Sequence, residues 1–184
     1  MEKIPLYTIG HGNRKPDDFL DILKKFGIDY LIDVRSMPYS KFNPQFNQND
    51  LKFFLEKHGI TYVFMGATIG RMTKDKSCYE YECKKHYEMV KEKDFFQNGM
   101  NRLKNAYAKN IHLVLMCSES KPCECHRSKL IGKVLDLEQI SLKHIDENGK
   151  LKDQKNVIAE LNKGLSEVDL FGQPINSTSR KTYL

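Results

Sequence analysis

The sequence predicts one α/β domain built on a doubly wound, mostly parallel sheet with helices on both faces. Three observations predict it. Short apolar, β-branched segments alternate along the chain with segments whose apolar residues recur at helical spacing, the order of βαβ units. The second strand segment, around Tyr30-Leu31-Ile32, is a continuous apolar run and not an alternating one, as in a strand covered on two sides. At 184 residues, 40% hydrophobic and 29% charged, the chain suffices for one core and is crowded for two.

Leu6-Tyr7-Thr8-Ile9 reads as a strand stopped by the turn cluster Gly10-His11-Gly12-Asn13. In the helix after it, Pro16 suits the first turn, Asp17 and Asp18 complement the dipole, and Phe19, Ile22, Leu23 and Phe26 share a face before Gly27 ends it. Residues 28–34 form the second strand, and a polar loop spans 37–48. Leu51, Phe54 and Leu55 mark the next helix, closed at Gly59, and 60–65 is the third strand. Between 77 and 110 no strand signal is visible. Tyr79, Cys83, His86, Tyr87 and Val90 mark one helical face there, and Phe95, Phe96, Met100, Leu103 and Tyr107 a second. Residues 111–116 are the fourth strand, Leu130, Ile131, Val134 and Leu135 a further helix, and 140–145 the last strand, turned by Glu147-Asn148-Gly149. Val157, Ile158 and Leu161 suit a closing helix. The domain is expected over 1–171, with 172–184 a loose tail.

Composition excludes several classes. General disorder and fibrous repeats do not fit so apolar a chain. The longest apolar stretch, about seven residues from Ile111, is far short of the ~20 that cross a bilayer, so no membrane partner is expected. The start carries an acid and a proline and lacks the layout of a secretory signal, and five cysteines is an odd number. A cytoplasmic protein with reduced thiols is therefore expected. A net charge of +6 suits a phosphate-bearing partner without requiring one.

A doubly wound sheet brings its strand carboxyl ends to one edge, where ligands bind. Strand one is succeeded by His11 and Arg14, strand two ends in Asp33 and Arg35, strand three leads to Arg71, and strand four opens into Cys117, Glu119, Cys125, His126 and Arg127. Asp33 and Arg35, two apart on an extended segment, lie on one face; they are either a loop-shaping ion pair or a fixed donor with its orienting carboxylate. Cys125-His126-Arg127-Ser128 falls at a predicted helix start, where a thiol meets unsatisfied backbone donors; the alternative is a plain helix cap. Within Tyr39–Phe46, aromatics interleave with charge, and Phe42 with Lys41 and Arg35 would suit a base and its phosphate; equally, Phe42 and Phe46 could pin the loop to the core.

Cys117, Cys123, Cys125 and His126 lie within ten residues, and Cys78, Cys83 and His86 form a second group. No Cys-x-x-Cys knuckle is present, and adjacent Cys125 and His126 would strain to hold one ion, so neither a metal nor any other cofactor is expected.

Tyr7-Thr8-Ile9-Gly10-His11, Leu31-Ile32-Asp33-Val34-Arg35 with Pro38, Ser40, Phe42, Asn43 and Phe46, then Gly66 and Gly70, and Met116-Cys117-x-Glu119 with Cys125-His126-Arg127, together resemble domain-of-unknown-function family number 488. The resemblance implies a cytosolic single-domain α/β protein with a polar pocket at the strand ends, and carries no activity with it. A weaker likeness, at Ile32–Arg35 and at Cys117 after its strand, is to rhodanese-type sulfurtransferases, although Arg127 comes a ten-residue step after Cys117, too long for their tight anion cradle.

The expectation is an enzyme, a hydrolase or group transferase, acting on a phosphate-bearing, nucleotide-like or nucleic-acid substrate. His11, Glu119, Cys125 and His126 would be catalytic. Arg14, Asp33, Arg35, Ser40, Phe42, Arg71, Cys117 and Arg127 would bind the substrate. The alternatives are a nucleic-acid-binding module without chemistry and a sulfurtransferase using Cys117.

Overall fold

The computed structural model describes residues 3–71, 75–78, 84–162 and 178–182. Strand β1 (Leu6–Gly10) leads through helix α1 (Pro16–Lys25) to β2 (Tyr30–Asp33), and α2 (Gln48–Lys57) leads to β3 (Thr61–Phe64). A four-residue helix α3 (Gly66–Ile69) comes at once after it. Then come β4 (Lys84–His86), α4 (Tyr87–Lys91), α5 (Asp94–Ala108) and β5 (Leu113–Cys117). A π-helical stretch, Arg127–Gly132, runs directly into α6 (Lys133–Leu137), before β6 (Leu142–Ile145), β7 (Leu151–Asp153), α7 (Gln154–Leu161) and β8 (Thr178–Thr182).

Six strands form one sheet in the order β3-β2-β5-β1-β6-β7, parallel except for the antiparallel edge strand β7. The single α/β domain with a mostly parallel sheet is as the sequence predicts. The two faces are covered by different helices. Phe19, Leu20 and Leu23 of α1 and Leu51 and Leu55 of α2 pack on Leu31, Val114 and Met116; Phe96, Met100 and Leu103 of α5 and Val134 and Leu135 of α6 pack on Ile32, Leu113 and Leu115. Adjacent residues of β5 thus go to opposite cores, which is why that strand carries no polar alternation: all five of its residues are buried.

Several local expectations need correcting. Among the described residues, the segment read as one helix through Val90 is helical over α4, and it is preceded by β4, which pairs antiparallel with β8. Tyr79 and Cys83 lie outside the described residues. Near the C-terminus the described residues form β8, while 163–177 and 183–184 lie outside the described residues. Strand β7 was not expected, because Leu151-Lys152-Asp153 is short, polar and largely exposed.

The chain leaves β1 toward β2 and leaves β5 toward β6 in the opposite direction, so adjacent β1 and β5 flank the point where the winding reverses. At such a point the loops splay apart above the carboxyl ends and leave a crevice.

Candidate functional site

A cavity of about 470 Å³ opens above the carboxyl ends of β1, β2 and β5, lined by His11, Asn13, Arg35, Ser36, Ser40, Asn43, Arg71, Cys117, Ser118, Glu119 and Ser120 among others. One wall is set by the closeness of two segments. The His11 and Gly12 amides donate to the Cys117 and Ser118 carbonyls at 2.9 and 3.1 Å, and a Cβ on Gly10 would lie 1.8 Å from the Glu119 carbonyl oxygen. Only glycine at position 10 allows the 117–126 loop to lie against β1.

His11 is buried and stacked on Phe46, ring centroids 4.5 Å apart. Its Nδ1 is 2.8 Å from the Gly12 carbonyl and therefore carries the proton, so Nε2 keeps its lone pair, facing Arg35 Nη1 at 3.4 Å. Burial lowers the imidazole pKa, outweighing the Gly12 hydrogen bond, which raises it; the Arg35 charge adds to the lowering, and the result is about 4.

Asp33 and Arg35 form the expected pair. Arg35 Nη2 lies 2.6 Å and Nε 2.9 Å from the two carboxylate oxygens, and Nη2 also donates to the Phe46 carbonyl. Tyr62, which the sequence did not single out, donates its hydroxyl to Asp33 at 2.7 Å; burial and then the Asp33 charge push that phenol far above its usual range. Asp33 is fully buried behind Arg35, and only the arginine reaches the cavity. The two form an ion pair whose cation reaches the cavity.

On the opposite wall Arg71 Nη1 holds Glu119 Oε1 at 2.7 Å, while Oε2 accepts from the Cys117 thiol at 2.8 Å. Burial would raise the Glu119 pKa, but the Cys117 hydrogen bond and the His126 and Arg71 charges prevail and lower it to about 2. The Cys117 thiol goes the other way: Cys125 beside it and its own burial push it well above the ordinary range.

The structure brings His11, Arg35, Ser40, Arg71, Cys117 and Glu119 to this cavity and sets the other candidates apart. Arg14 turns away to the Gly10 and Asp146 carbonyls. Arg127 is fully buried beneath the loop, donating from Nη2 to the Glu119 and Ser120 carbonyls at 2.9 and 3.0 Å; its Nε and Nη1 find no partner among the described residues. The two loop phenylalanines separate: Phe46 is buried under His11, whereas Phe42 is 94% exposed, with Tyr39 also exposed.

Cys125 and His126 lie buried behind Cys117 and Glu119. The Cys125 thiol faces Glu119 Oε2 at 3.5 Å and His126 Nδ1 at 3.6 Å. These neighbours, expected to strain at one ion, lie close together. Cys125 is extended (φ −111°, ψ 150°) and His126 helical (φ −62°, ψ −20°), and this change of backbone turns both side chains the same way. Ligand atoms of Cys117, Cys125 and His126 all lie within 4.8 Å of one another, the one such metal-capable group found among the described residues. Of the second group, Cys83 lies outside the described residues. No described helix is long and apolar enough to cross a membrane.

No curated protein and no solved structure matches the chain. A family model does match, over residues 15–134, more than half of the length and the part holding β2, β5 and every cavity-lining residue except His11, Gly12 and Asn13. The chain therefore belongs to the family described as Domain of unknown function DUF488.

Proposed function

We propose that this chain is an enzyme, a hydrolase or group transferase, acting on a phosphate-bearing, nucleotide-like substrate at the carboxyl edge of the sheet. The observation that carries this reading is the cavity at the reversal of the winding, with the Arg35 and Arg71 guanidiniums on its walls and hydroxyls and amides from Ser40, Ser118 and Asn43 between them. Planar, permanently charged forks match phosphate geometry. His11, kept neutral with its lone pair on Nε2, is placed to accept a proton from a substrate or a water beside Arg35. Exposed Phe42 and Tyr39 on the 34–47 loop offer a base something to stack on.

A second reading, a nucleic-acid-binding module without chemistry, draws on those same exposed rings and on the +6 charge. It expects affinity that falls steeply with salt and no turnover. Persulfide transfer from Cys117 has less support, because that thiol is held protonated against a carboxylate, the reverse of what a nucleophilic sulfur needs.

The test is a thermal-shift screen of nucleosides, nucleoside mono- and diphosphates and inorganic phosphate, repeated with Arg71→Gln and His11→Gln. A ligand at 100 times its Kd adds about 2.7 kcal/mol, roughly 5–10 °C for a chain of this size. Phosphorylated compounds are expected to stabilise and the corresponding nucleosides to do so less. A hit that survives both substitutions unchanged, or a panel without hits, overturns the reading.

A further inference from the structure

We propose that Cys117 Sγ, Cys125 Sγ and His126 Nδ1 form a mononuclear site for a zinc-class divalent ion, with the fourth position open to the cavity beside Glu119. This stands on donor geometry and does not depend on which substrate the cavity takes. Around a tetrahedral zinc with ordinary Zn–S and Zn–N bonds, a sulfur and a nitrogen ligand sit about 3.6 Å apart. His126 Nδ1 is 3.6 Å from Cys125 Sγ and 3.9 Å from Cys117 Sγ, and all three donors fall within 4.8 Å. They are close enough to share one ion with shifts of a few tenths of an ångström.

The surroundings agree. All three residues are at most 3% exposed. His126 Nδ1 faces both sulfurs, while its Nε2 has no hydrogen-bond partner among the described residues. Two thiolates and an imidazole select zinc over magnesium or calcium. Structural zinc sites close with four protein ligands, whereas a site of three leaves a position for water or substrate. Cys117 lines the cavity while Cys125 and His126 stand behind it, so the open side is the cavity side. There Glu119 Oε2, 2.8 Å from Cys117 Sγ and 3.5 Å from Cys125 Sγ, is placed to accept a hydrogen bond from a water on the ion, with Arg71 holding its other oxygen. On binding, each thiol gives its proton to solvent or buffer and each sulfur forms one bond to the ion; no redox partner is needed.

The experiment loads the reduced full chain with Co²⁺ and with Zn²⁺. One equivalent of Co²⁺ should give the intense near-ultraviolet thiolate-to-cobalt band and the visible bands of a tetrahedral ion, and Zn²⁺ should displace it. Zn²⁺ should also protect two thiols from a thiol reagent. Cys125→Ser and His126→Gln should each weaken binding by more than the ~10–100-fold that loss of a ligand's hydrogen-bond partner costs, whereas Cys123→Ser should change nothing. Circular dichroism shows whether each variant folds, and the thiol protection of the unaltered chain decides the matter where one does not. Absence of a thiolate band, protection of no thiols, or binding unaffected in folded Cys125→Ser overturns the site. Such failure leaves the nucleotide screen untouched, since Arg35, Arg71 and His11 are not ligands here.

Discussion

Replacing Gly10 by alanine should unseat the loop on which half the site is built. The added Cβ would fall 1.8 Å from the Glu119 carbonyl oxygen and 2.7 Å from its carbon, whereas ordinary contact begins near 3.4 Å. The loop backbone must therefore retreat by about 1.6 Å, and neither obstructing atom belongs to a flexible side-chain end. The same carbonyl accepts a hydrogen bond from buried Arg127 at 2.9 Å. Overpacking of a filled site costs about 1–3 kcal/mol, and a hydrogen bond to a charged group contributes about 1.5–3 kcal/mol. The sum, about 2.5–6 kcal/mol, corresponds to a fall in Tm of roughly 5–24 °C at this chain length. Gly59→Ala is the control: nothing lies within 4 Å of its Cβ, so only its φ of +76° resists, a matter of about 1 kcal/mol or a little more. Calorimetric melts of the three proteins decide it. Gly10→Ala melting within 2 °C of the parent, or no lower than Gly59→Ala, would refute the close approach of β1 and the loop.

Three further outcomes are expected. His144, buried between a Thr8 hydroxyl donor at 2.7 Å and the Gln154 oxygen at 2.6 Å, is neutral in the fold; burial chiefly, with Arg127 adding and the Gln154 bond and Asp153 opposing, lowers its pKa to about 4 from 6.5. The unfolded chain binds the extra proton, so this stability is complete above pH 6.5 and declines as pH falls toward 4, by about 3 kcal/mol in all; urea unfolding across that range should show a shallower decline for His144→Gln, and parallel curves would contradict the assignment. Tyr62→Phe removes the hydroxyl bond to Asp33 without touching the cavity lining and should cost about 1.5–3 kcal/mol; an unmoved urea midpoint would show that bond to be idle. Phe42→Ala, at a 94% exposed side chain, should leave Tm within 1 °C yet weaken a nucleotide hit by the ~1–3 kcal/mol of one stacked base; equal affinity by calorimetric titration would remove stacking from the proposal.

The central parallel strands were legible from their apolar runs: β5 throughout and Tyr30-Leu31-Ile32 of β2 are runs of the kind that a covered sheet accommodates. Strands β4 and β7 were not legible. Three residues give no period to read, and Leu151-Lys152-Asp153 at an exposed edge pairs through its backbone alone. At the site, His11, Arg35, Arg71 and Glu119 were legible from their places just beyond the carboxyl ends of strands, where a wound sheet gathers its loops. Tyr62 was missed because its hydroxyl reaches Asp33 from inside a neighbouring strand, and an apolar pattern hides such a contact. In the sequence Arg127 is one more arginine beside a strand end, and burial distinguishes it as a support of the loop. The Cys125–His126 convergence depends on a change of backbone between adjacent residues, which spacing rules drawn from regular elements do not describe.

The position of β5 between β2 and β1 has a consequence for the order of assembly. A growing chain that has reached residue 110 can pair β2 with β3 but has nothing beside β1, because the strand that joins the halves is still to come. Insertion of that strand at once zips the sheet and delivers Cys117 and Glu119 beside His11. Truncation before it should give an aggregation-prone product, and refolding should be slow for so short a chain, since long loops must close before any central contact forms.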